Sequence, residues 1–89
     1  MVRKIDPSDY HIRQKGNPAL HQNLEWYATE RDNMIGVVVF DLVDKDYSWV
    51  TLVREDGIGP YVYHQGHVSY PTQKEATTDL LYVLKYWEP

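Results

Sequence analysis

The stretch from Met34 to Leu42 constrains this chain more than any other. Ile35, Val37, Val38, Val39 and Phe40 crowd into it. Successive side chains of a strand point to opposite faces. A β-branched run with apolar groups at consecutive positions therefore reads as a central strand that is apolar on both faces. Each face needs a cover, and the rest of the chain has to supply it. The chain has 89 residues and no cysteine. Packing and helix caps must do the work that disulfides or thiolate-bound metals do in other small domains.

The segments around this run alternate. From Asn23 to Thr29, Leu24, Trp26 and Ala28 face one way and Glu25, Tyr27 and Thr29 the other. From Tyr47 to Arg54, the set Tyr47, Trp49, Thr51 and Val53 opposes Ser48, Val50, Leu52 and Arg54. That is strand period. The polar stretches Glu30–Asn33, Asp44–Asp46 and Asp56–Gly59 are turn-forming. Pro60 to His64 starts a fourth strand, broken at Gln65-Gly66 and resumed from His67 to Tyr70. Thr72-Gln73-Lys74-Glu75 is a capping box. After it, Ala76, Leu80, Val83, Leu84 and Trp87 fall on one helical face, widened by Leu81. The spacing predicts a helix over 72–87. Residues 1–17, interrupted by Pro7 and Gly16, read as an N-terminal arm. Asn17-Pro18 predicts one helical turn through Gln22.

The expected fold is α+β: an antiparallel meander of three to four strands packed against one C-terminal amphipathic helix, in a single domain over 18–89. One helix covers one face of a sheet. The other face is open unless the arm or a partner lies on it. The residues available to that face are aromatic, drawn from Tyr27, Tyr47, Trp49, Tyr61 and Tyr63. Register decides which, because a slip of one residue exchanges the faces. The first strand is an edge without proline or inward lysine. It is expected to be covered by residues 8–14 or by a second copy, a homodimer, whereas Pro60 and Pro71 guard the fourth.

Charge divides unevenly. Residues 1–20 hold Arg3, Lys4, Arg13 and Lys15 against Asp6 and Asp9, while the remainder holds five basic and eleven acidic groups. The net charge is −4. Asp32, Asp41, Asp44, Asp46, Glu55 and Asp56 gather at turns and strand ends. Turn chemistry alone favours aspartate there. The functional reading is a negative surface for a basic partner, with Tyr and Trp as anchors. The candidate partner-binding residues are Tyr47, Trp49, Asp41, Asp44, Asp46, Glu55, Asp56, Tyr61 and Tyr63. An acidic body argues against nucleic acid, although the basic arm with base-stacking Tyr and Trp is the alternative. His64-x-x-His67 lacks further ligands at motif spacing, so no metal and no cofactor are expected. There is no Gly-rich phosphate loop and no nucleophile elbow, so no catalytic residue is assigned and the chain is not read as an enzyme. No apolar run is long enough to span a bilayer and Met1–Tyr10 is polar, which makes the cytoplasm the expected compartment.

Three antiparallel strands followed by Tyr70-Pro71-Thr72-x-x-Glu75-Ala76 resemble the sheet-plus-helix DNA-binding domains of phage integrases. Those sheets carry Arg and Lys, whereas Arg54 is the one basic residue in the strands read here, and Asp41 and Asp44 sit where positive charge belongs. The stretch Leu24 to Trp87 is also similar to small acidic proteins of phages and other mobile elements, anti-CRISPR proteins among them. That resemblance implies a non-catalytic inhibitor that occupies a basic surface on a host defence protein. A structural homo-oligomer is the third reading.

Overall fold

Met34–Asp41 is the middle strand of a five-stranded antiparallel sheet. The structure is a computed structural model and describes residues 1–10, 12, 20–54 and 59–87. In chain order the strands are β1 (Arg3–Ile5), β2 (His21–Ala28), β3 (Met34–Asp41), β4 (Tyr47–Val53) and β5 (Val62–Tyr70), followed by helix α1 (Gln73–Lys85). Sheet order follows chain order, so the topology is a meander. It is α+β, as the patterning predicts, with five strands where three to four were expected.

The additional strand comes from the stretch read as an arm. Arg3, Lys4 and Ile5 pair with Ala28, Tyr27 and Trp26. Residues 3–5, upstream of the 8–14 segment expected there, thus cover the β2 edge at Trp26–Ala28. A 3-10 turn at Pro7–Asp9 follows, capped by the Asp6 carboxylate, which accepts from the Ser8 N–H at 3.0 Å. His21 and Gln22 belong to β2 and not to a helical turn. The rest of that proposed turn's start, 17–19, lies outside the described residues.

Register sorts the apolar groups into two cores. On one face Met34 and Val38 of β3 and Trp49 of β4 meet Ala76, Leu80 and Leu84 of α1. On the other face Trp26, Ala28, Ile35, Val37, Val39 and Tyr61 cluster, and Ile5, Tyr10 and Ile12 pack against them. The middle strand is sandwiched as its sequence demands. The arm supplies part of the second cover, so the face opposite the helix is not an open aromatic surface.

The helix starts where its cap predicts. The Thr72 hydroxyl accepts from the Glu75 N–H at 3.2 Å. Only this half of the reciprocal box is made among the described residues. The fourth predicted strand is continuous as β5, with no break at Gln65-Gly66. Its pairing with β4 shifts by one residue at His64 and again at Ser69, so β5 carries two bulges.

Candidate binding surfaces

The predicted partner-binding set does not form one surface. Trp49 faces the helix and is 2% exposed. Its Nε1–H donates to Tyr70 Oη at 3.0 Å and to Asp79 Oδ2 at 2.9 Å, and the Tyr70 hydroxyl donates to the same carboxylate. These donors, Tyr70 first, hold the Asp79 carboxyl below its ordinary range. The indole is a core group with a satisfied polar handle and has no surface to offer. Tyr61 is 6% exposed on the opposite face, and its hydroxyl donates to the Asp32 carbonyl at 2.6 Å. Tyr47 is half-buried against Phe40, ring centroids 5.0 Å apart, and Tyr27 is half-buried with its hydroxyl on Glu25 at 2.6 Å. Of the named aromatics, only Tyr63 stands out in solvent, at 67% exposure.

The carboxylates divide as well. Asp41, Asp44 and Asp46 share the β3–β4 turn. Asp41 is committed there: its Oδ1 accepts from the Val43 and Asp44 N–H groups at 2.8 and 2.9 Å, which holds its carboxyl below the ordinary value. Lys45 takes φ 58° in the same turn. These bonds fix the loop and leave Asp44 exposed and Asp46 partly so. Glu55 and Asp56 lie outside the described residues.

What the structure does assemble is a face of β5. Every residue from Val62 to Ser69 is exposed. Tyr63 pairs with Leu52 and Val68 with Ser48, which puts both on the face away from the helix, each 67% exposed. Strict alternation would separate positions 63 and 68. The bulge at His64 brings them to the same side. The Tyr63 ring lies over Gly66, whose absent Cβ would sit 3.3 Å from the Tyr63 hydroxyl. On the helix side His67 stacks on Trp49 and His64 meets Trp87 edge-on, with centroids 6.1 and 4.8 Å apart. Both histidines are exposed strand residues that contact a tryptophan ring. Among the described residues no cluster of three or more His, Asp or Glu is placed to hold a metal, and no helix is long and apolar enough to cross a membrane.

Sequence reading missed Val62 and Val68 as surface groups. The available signal was Gly66, since an isolated glycine inside a strand marks a bulge or a close approach. Tyr47 pairs with Tyr70, so the acidic turn lies at the Tyr70 end of β5, next to this apolar strip. Comparison with protein-family models, curated proteins and solved structures returns no match.

Proposed function

We infer that this chain is a non-catalytic protein-binding module. It docks through the side chains of β5 on a partner whose contact surface is basic. One observation carries the reading: Tyr63 and Val68 are held out in solvent on a hydrogen-bonded strand whose Val68 end adjoins a turn bearing Asp44 and Asp46. Large apolar side chains on a rigid element lose little entropy on contact. The adjacent carboxylates favour a positive partner and speed its approach. β5 contains no Lys or Arg to contact phosphate, and the carboxylates of the adjoining turn oppose nucleic acid at long range. Docking uses the face of β5 and not its edge, because two bulges disturb the row of backbone groups that an added strand would need. A mobile-element inhibitor of a host defence protein, the role implied by the resemblance noted above, is consistent with this mode of action.

The test is affinity purification of the full chain beside two double variants, Tyr63→Ser with Val68→Ser and Asp44→Lys with Asp46→Lys. All four positions are on the surface, so circular dichroism should show unchanged folding. Both variants should lose the partner, which should itself be basic, and capture by the wild type should weaken as salt rises. Equal capture by all three proteins, or no specific capture by the wild type, overturns the reading.

A further inference from the structure

At the opposite end of the sheet a cleft of about 480 Å³ is lined by Arg3, Ile5, Asp9, Tyr10, Arg54 and Tyr61, among others. One wall is internally satisfied. Arg3 donates to the Thr29 carbonyl at 3.1 Å, to Tyr10 Oη at 3.0 Å and to the Asp32 carboxylate. The Tyr10 hydroxyl donates in turn to Asp32 at 3.0 Å. Burial, above all, pushes the Tyr10 and Tyr61 phenols up, so both remain protonated donors.

The other wall is not satisfied. The Arg54 guanidinium lies over the Tyr61 ring, 4.9 Å from its centroid. Its Nε is buried and has no acceptor among the described residues. A buried donor on a permanent cation that bonds to nothing carries an uncompensated desolvation cost. Stacking covers one face of the guanidinium, and its Nε/Nη edge is the fork that takes a planar oxyanion through two parallel bonds; a ligand reaches Nε only by displacing the groups that now shield it.

We propose that this cleft binds a small aromatic monocarboxylate, with Arg54 gripping the carboxylate and the half-buried Tyr10 and Ile5 receiving the ring. The volume falls in the range of small-molecule sites. Tyr10 and Tyr61 meet edge-to-face, 6.1 Å between centroids at 62°, an arrangement that a further ring can extend. Asp6 and Asp9 also line the cleft. With Asp32 they balance the three lining cations Arg3, Lys4 and Arg54, so the cleft has no net positive charge to hold a dianion, which suits a monoanionic carboxylate better than phosphate. The site is independent of β5 and of any protein partner.

The experiment is a titration of the ¹⁵N-labelled full chain with benzoate, with benzamide and inorganic phosphate as separate arms. The Arg54 Nε–H signal is assigned by its loss in Arg54→Lys. Benzoate should move that signal and the Tyr10 and Tyr61 ring signals saturably. Arg54→Gln and Arg54→Lys should each weaken binding at least about tenfold, with thermal midpoints near that of the wild type. No saturable shift, an equal response to benzamide, or tighter binding of phosphate overturns the proposal. So does a shift of the Arg54 signal in an unliganded Glu55→Gln, Asp56→Asn variant, because the acceptor would then be internal.

Discussion

Asp79 pins the helix to the sheet. One of its carboxylate oxygens accepts from both Trp49 Nε1–H and the Tyr70 hydroxyl. Charge-assisted bonds in a partly buried setting contribute about 1.5–3 kcal/mol, so Asp79→Ala should lose about that much in urea unfolding at neutral pH. The folded carboxyl titrates below its ordinary value of 3.8. A depressed folded value means that the stabilisation is complete above the ordinary value and disappears as pH falls through the folded one. Asp79→Asn should therefore show a flatter loss of stability below about pH 4 than the wild type. Matching acid profiles would show that Asp79 does not carry this effect. Trp49 and Tyr63 differ just as sharply. Trp49→Ala empties a core site and should cost about 3–5 kcal/mol. Tyr63→Ala acts at the surface and should stay within about 0.5 kcal/mol in the same measurement. The residue types alone made these two rings equivalent. Their neighbours made one a core group and the other a contact group.

At the scale of elements, the helix approaches the sheet over Gly36. A Cβ there would lie 2.5 Å from Leu80 Cδ1, and Leu80 is fully buried. Gly36→Ala thus overpacks the interface and should cost about 1–3 kcal/mol, while Leu80→Ala should cost about 2–5 kcal/mol by leaving a cavity. The alanine at 36 has room once Leu80 is shortened, so the double variant should be less destabilised than the sum of the singles. Strict additivity in a double-mutant cycle would contradict the contact. The cap is the simpler case. Thr72→Ala removes the bond to the Glu75 N–H and should cost about 0.5–2 kcal/mol by chemical denaturation. This cap was legible from four residues because capping is local. The approach over Gly36 was not, because it joins positions that are distant in the chain.

For the whole molecule, the sheet ends in two differently managed edges. On one side β1 is three residues long and bears the exposed Arg3 and Lys4. On the other, β5 is long but bulged twice. Short, charged and bulged edges resist pairing with other chains. Deleting residues 1–5 removes β1 and opens the backbone of β2 at Trp26–Ala28, which should give larger species than the full chain in light scattering. A truncated chain with the same association state as the full chain would mean that β1 does not guard this edge. The same deletion uncovers Trp26 and Ala28, which pair with Ile5 and Arg3, so it should also destabilise the second core.

Short-range chemistry determined much of this protein from the sequence by itself. Alternation located β2, β3 and β4, the capping box and the apolar stripe located α1, and the run at 34–42 required cover on both faces. Each of these signals acts within a few residues, where backbone geometry and side-chain period leave few choices. Tertiary structure alone decided which side of each strand meets the helix, that residues 3–5 close the sheet, and that Trp49 and Tyr61 are sealed while Tyr63 and Val68 are not. Those outcomes depend on register and on one-residue shifts at Leu24, His64 and Ser69, and a shift of one residue exchanges the faces of a strand without changing its local pattern.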